Sequence, residues 1–251
     1  MLRRFSGFSS IIEELQVQQE DPPRLSLTVL AYGMNPKISV QTGPSSKAHV
    51  QPRISSRPAK LFPPGKYVAV AAQVVYYGIV SRLPMVAKVV VVDYRGNIIL
   101  DTLVRPTQPI SDYRTAETGL QPVTFANAPT FIDVQQQVAA LIRNKIIVGY
   151  ALWQFLSVLG LAHPAIDTRD AALFIPFRRS LRSKASMTIP LVTLVNRFMG
   201  REIGLQGESP LEHARAALDL FRSCEHYWEE LVDSGAWPCA LPPVSYANCF
   251  T

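Results

Sequence analysis

The chain has 251 residues, 48% of them hydrophobic and 18% charged, with a formal net charge of +6 and a pI near 9.3. Length alone requires no second domain, because a chain of this size buries roughly 70–75% of its unfolded surface in one core. No apolar run reaches the roughly 18–20 residues of a membrane span, and Cys224, Cys239 and Cys249, odd in number and without Cys-x-x-Cys spacing, exclude both a disulfide framework and a zinc motif. That usage fits a reducing intracellular compartment, cytoplasm or nucleus. The Arg- and Ser-rich start has the flavour of a mitochondrial presequence, but Glu13, Glu14, Glu20 and Asp21 follow at once and argue against it.

Residues 1–64 read as an N-terminal arm. Ser9 or Ser10 caps a short amphipathic helix carrying Ile11, Ile12 and Leu15, and Asp21-Pro-Pro23 stops it. Residues 25–31 alternate like a strand, and residues 35–64, rich in Pro, Ser, Lys and Arg, have no core of their own. Arg53, Arg57 and Lys60 are candidates to meet nucleic-acid phosphates.

A globular domain follows over residues 65–233. Residues 67–75, a Val- and Ala-rich run between Pro-Pro-Gly and Tyr-Tyr-Gly, predict a central strand buried on both faces. Residues 85–93 and 98–104 form a hairpin around Gly96-Asn97. The spacing predicts a helix over 131–143 with Val134, Val138 and Leu141 inward, then a strand over 146–149 parallel to the first. A short apolar helix follows over 151–160. Asp167 and Asp170 flank a short strand as local caps or pairs, and His163 sits in a turn as a structural residue. Residues 177–184 are the densest basic cluster, read as a solvated loop in which Arg178, Arg179, Arg182 and Lys184 are further phosphate candidates. A helix over 188–199 turns Leu191, Leu194, Val195 and Phe198 inward, and Ser209-Pro210 opens a long helix to Val232. Residues 234–251 read as an extended apolar tail that needs a groove, in its own domain or in another subunit.

The order Val91-Val-Asp-Tyr-Arg-Gly-Asn97, Ile110-Ser-Asp-Tyr-Arg-Thr115, Val148-Gly149, Asp167-Thr-Arg-Asp170, Gly200-Arg-Glu-Ile203 and Ala214-Arg-Ala-Ala-Leu-Asp-Leu-Phe221 resembles the DEDDh 3′-to-5′ exonucleases, nearest to the eukaryotic RNA exonuclease subgroup. The resemblance covers about residues 67–230. It implies a ribonuclease H-like α/β fold, a mixed sheet flanked by helices, with the terminal arms extending from it. It also implies a two-metal chemistry, in which four carboxylates hold two magnesium ions and a histidine acts as general base.

At the positions that would carry this chemistry the chain departs from the pattern. Ala71-Ala-Gln73 stands for Asp-x-Glu, Phe155 for the next Asp and His213 for the last, and the family's histidine has no counterpart. Neither a methyl nor a phenyl group can ligate, and a neutral amide does not replace carboxylate charge. The expectation is therefore an inactive exonuclease-like protein, without cofactor or metal. Its role would be structural, in a homo-oligomer, filament or capsid-like shell assembled through the terminal arms, in contact with RNA. Two alternatives remain: an RNA-binding subunit of a ribonucleoprotein, and a nuclease with rewired activity using Glu208, Glu212 and His213.

Overall fold

A computed structural model describes residues 61–184 and 187–251. The expected N-terminal helix and strand, together with Arg53, Arg57 and Lys60, lie outside the described residues. The first three strands, β1 (Tyr67–Tyr77), β2 (Leu83–Asp93) and β3 (Ile98–Leu103), make an antiparallel meander, with Gly96 at φ 84° in the β2–β3 turn. Asp93 shapes that turn by accepting the backbone N–H groups of Arg95 and Asn97, both at 2.8 Å. Next come β4 (Ile110–Asp112), α1 (Thr115–Thr118), α2 (Phe131–Ile142), β5 (Ile146–Gly149) and α3 (Leu152–Leu159). The domain closes with β6 (Thr168–Asp170), α4 (Ile175–Ser180), α5 (Leu191–Met199) and α6 (Pro210–Asp233).

The sheet runs β3-β2-β1-β5-β6, with β5 and β6 parallel to β1. Helices cover both faces, which is why β1 is apolar at nearly every position. Its side chains alternate between two cores: Val68 and Val70 pack with Val134, Val138 and Ile142 of α2 and with Leu152 and Leu156 of α3. Tyr67 and Ala69 pack on the other face, with Leu194 and Phe198 of α5 and Ala214, Leu218 and Phe221 of α6. This is the ribonuclease H-like mixed α/β arrangement.

Several local readings change. The inward row of α2 is 134, 138 and 142, and Leu141 is only half-buried. Residues 188–190 stay outside α5, because a residue preceding proline avoids helical backbone and Pro190 is the cap. The basic cluster is not all loop: α4 begins at Ile175 with Pro176 in its first turn, so Arg178 and Arg179 are helical and only residues 181–184 continue as loop. Residues 234–251 fold back onto their own domain. Ala240 N–H donates to Leu173 O at 2.8 Å, His163 N–H to Cys249 O at 3.0 Å, and Ala165 N–H to Thr251 O at 3.0 Å. Cys239 and Cys249 are buried there. Among the described residues, no helix is long and apolar enough to cross a membrane.

A buried ion pair, not foreseen in the sequence, ties the two ends of this architecture. Arg169 of β6 and Glu229 of α6, 1% and 0% exposed, meet as a fork, Nε to Oε1 at 2.8 Å and Nη2 to Oε2 at 2.6 Å. Arg169 Nη1 also donates to the carbonyls of Ile166 and Thr168, and Tyr67 Oη donates to Glu229 Oε1 at 3.2 Å. Burial, and then the Glu229 charge, push the Tyr67 hydroxyl well above its usual range. Removing one partner leaves an uncompensated buried charge, so Arg169→Met is expected to cost about 3–5 kcal/mol in urea unfolding. The triple variant Tyr67→Phe, Arg169→Met, Glu229→Met should recover most of that loss; equal instability of the two variants would contradict this account.

Candidate nucleic-acid cleft

The site begins with a gap in the sheet. One edge of β1 pairs with β2 along almost its whole length, while the other is shared. There β5 pairs only with Tyr67 to Ala69, and β4 only with Tyr76 and Tyr77. Among the described residues, 70–75 have no strand partner on that side, and a cleft of about 440 Å³ opens over them, lined by Ala71, Phe155, Tyr150, Arg114, Glu208 and His213 among others. It lies beyond the carboxyl end of β5, where parallel α/β sheets place ligands. Gly149 permits the turn there, since a Cβ would stand 2.5 Å from the Leu152 side chain and 3.1 Å from Val70 O.

The sequence-derived positions divide. Ala71, Phe155 and His213 come together around the cleft. Trp153 packs in the α6-side core, against which Ala71 also lies, whereas Phe155 belongs to the α2–α3 side. Gln73, 2% exposed, is not a cleft-lining residue: its amide donates to Glu208 O at 2.8 Å and to Thr118 O at 3.4 Å, clamping two loops to β1 across the gap. Arg178, Arg179, Arg182 and Lys184 do not line the cleft. Arg178 is engaged with Met187 O at 2.6 Å, while Arg179, Arg182 and Lys184 are exposed.

Three features set the chemistry. Asp170 is buried and crowns the start of α3, accepting the backbone N–H groups of Ala151 at 2.9 Å, Leu152 at 2.7 Å and Ala172 at 2.9 Å. Burial pushes its carboxyl up to about 6, against those N–H bonds, which favour the anion. Burial also lowers the His213 imidazole below its usual range, despite the nearby carboxylates of Glu208 and Glu212, so His213 is neutral at pH 7. Arg114 spans the wall, Nη1 donating to Val74 O at 3.3 Å and Nη2 to Glu208 Oε2 at 2.5 Å. A neutral imidazole can take a proton from a hydroxyl or water, and a guanidinium can balance charge on a phosphate oxygen.

The divalent ions implied by the resemblance are a poorer match. Among the described residues, no group of three or more His, Cys, Asp or Glu side chains is placed to hold a metal ion. Ala71 and Phe155 offer no ligand atom, and Gln73, whose Nε2 donates to two carbonyls, has at most one neutral oxygen in place of a carboxylate. This donor set does not fit a pair of divalent cations.

Residues 72–163 match the protein family described as Exonuclease. The chain is 38% identical to RNA exonuclease 4 of Mycosarcoma maydis over 173 residues, covering 68% of this chain and 45% of that protein. It is 34% identical to RNA exonuclease 4 of Kluyveromyces lactis, over 66% of this chain and 56% of the relative. Apoptosis-enhancing nuclease of Homo sapiens is 27% identical over 94% of this chain and 76% of its own length. The chain thus spans about half the length of these RNA exonuclease 4 relatives. Among solved structures, the Saccharomyces cerevisiae apo Pan2 pseudoubiquitin hydrolase-RNA exonuclease module in complex with AAGGAA RNA shares the fold, with a TM-score of 0.57 and 22% identity over 70% of this chain and 32% of that one.

The chain is therefore exonuclease-like, with a ribonuclease H-like fold. The expectation of an inactive structural protein is overturned, because the relatives are named as exonucleases and nucleases and nothing in these likenesses points to a self-assembling shell.

Gln73→Glu tests the clamp. A carboxylate at that position would face two carbonyl oxygens with no hydrogen to donate, so the folded protein would favour its protonated form and raise its pKa. The cost, about 1–3 kcal/mol, should be present above that raised pKa and fade as pH falls toward the ordinary Glu value of about 4.3. Urea midpoints of variant and wild type should differ clearly at pH 7.5 and little at pH 4.5; a pH-independent difference would reject the clamp.

Proposed function

We propose that the chain acts on RNA as a nuclease, with the cleft beside β1 receiving a single strand. The similarity to proteins named RNA exonuclease 4, at 38% identity over 68% of the chain in one case, carries this reading. The cleft supports it from the chemistry: Ala71 and Phe155 give apolar walls for a base or ribose, Arg114 a guanidinium for a phosphate, and neutral His213 a proton acceptor. Because the donor set does not fit paired divalent ions, the residues assigned to the reaction are His213 and Arg114.

The test is purified chain incubated with 5′-labelled single-stranded RNA, with and without a chelator, followed on denaturing gels. Progressive shortening is expected, slowed about 100-fold or more in His213→Ala if the imidazole is the proton acceptor. Intact RNA after prolonged incubation under both conditions would sink the nuclease reading. Shortening at wild-type rate by His213→Ala would remove His213 from it.

A further inference from the structure

Next to the cleft lies a second one, of about 550 Å³, lined by Tyr76, Arg82, Asp112, Arg114 and the first turn of α1. The two clefts share Tyr76 and Arg114. We propose that they form one track for a single RNA strand, with Arg114 holding the phosphodiester at their junction and the Tyr76–Arg82 surface stacking the adjoining base. This rests on the RNA reading above and adds where the strand goes after its end nucleotide.

Arg114 is built into that junction with unusual care. It adopts left-handed backbone, φ 50° and ψ 43°, a conformation that costs free energy in a side chain other than glycine. Its neighbours impose the strain: its N–H donates to Asp112 Oδ1 at 2.7 Å, and its carbonyl accepts from Thr118 N at 2.8 Å and Glu117 N at 3.0 Å. The result aims the guanidinium along the wall between the two clefts. Its bonds to Val74 O and Glu208 leave further N–H donors of the five, in the planar fork that suits phosphate oxygens.

Glu208 marks where the phosphate goes. Its carboxylate sits on the guanidinium as an anion already in place, and the ion pair is only partly exposed, 23% and 19% for the two side chains. The Glu208 backbone is fixed from both sides, its N–H donating to Glu117 O at 2.7 Å and its carbonyl accepting from Gln73. The preceding Gly207 allows this approach, since a Cβ would lie 2.7 Å from Glu117 O. A phosphodiester entering the junction therefore exchanges with the Glu208 carboxylate for Arg114, and Glu208 weakens binding.

Beyond the junction, the Arg82 guanidinium carbon lies 4.8 Å from the centroid of the Tyr76 ring, and Asp112 holds the same guanidinium by an ion pair. Tyrosine and guanidinium planes both stack on nucleobases without regard to sequence. Tyr76 itself is fixed by its pairing with Pro84 of β2 and Asp112 of β4. The base adjoining the junction is thus offered a rigid surface.

The experiment is fluorescence anisotropy with labelled oligoribonucleotides of one, three and six nucleotides, read at 4 °C within minutes of mixing, with denaturing gels confirming that the strands stay intact. Wild type should gain affinity from one nucleotide to three. Tyr76→Leu should lose about ten-fold on the trinucleotide while leaving the mononucleotide unchanged, and Tyr76→Phe should bind as wild type. Arg114→Gln should weaken the longer strands and reduce the salt slope by about 0.7, the contribution of one phosphate on a single strand; Glu208→Gln should bind more tightly. Thermal melting controls for folding, and Arg82→Gln, a change on an exposed side chain, gives a second measure of the stacking surface should Tyr76→Leu be unstable. Trinucleotide binding unchanged in both Arg114→Gln and the stacking variant overturns the track while leaving the RNA reading intact. No RNA binding by wild type at any length overturns the RNA reading itself.

Discussion

The divided edge of β1 is the constraint on which the rest of the site depends. A strand of eleven residues that pairs continuously with β2 meets two shorter strands on its other side, β5 at one end and β4 at the other. Backbone groups in the interval must be satisfied by something other than a ladder. Arg114 supplies one bond, to Val74 O, while Gln73 ties the flanking loops to the strand. The cleft is thus a consequence of sheet topology, and its walls are the side chains recruited to close the interval. Arg114, which completes the hydrogen bonding of β1, also lines the cleft, whereas Gln73 stays behind its wall.

Buried polar groups hold those walls at fixed positions. Asp170 serves as a cap for α3 from a different strand, because Ala151, in left-handed backbone at φ 53°, has no side-chain cap of its own. Arg169, adjacent to it in β6, is locked to Glu229, so that β6, α6 and, through Tyr67, β1 share one network. Phe155 and His213, at the start of α3 and of α6, therefore sit on helices anchored by satisfied polar contacts and by apolar packing on opposite faces of the sheet. A site built on such elements keeps its geometry better than one carried on loops alone.

Much of this fold is legible in the sequence. Unbroken Val and Ala in residues 67–75 announce a strand covered on both sides, the Gly96-Asn97 turn announces the hairpin, and the inward set Leu191, Leu194, Val195 and Phe198 follows from helical spacing alone. Ala71, Phe155 and His213, drawn from three separate segments, meet as the motif order implies. Gln73 could be identified as an odd polar residue in an apolar strand, but not as a clamp, because both of its acceptors are backbone carbonyls far along the chain. The partner of Arg169 lies sixty residues away on a helix whose apolar periodicity gives no sign that one glutamate faces inward. Function is less legible: departures at the ligand positions suggest inactivity, whereas the relatives' names point to a nuclease.

The electrostatics of the cleft follow from weighing burial against charge. At His213 the loss of solvent outweighs two nearby carboxylates, so the imidazole stays neutral although its neighbours favour the cation. Arg114 is already paired, and the described wall therefore presents little uncompensated charge to an approaching strand. A phosphate that takes the place of Glu208 on Arg114 would exchange one nearby anion for another, so the balance that keeps the imidazole neutral would change little.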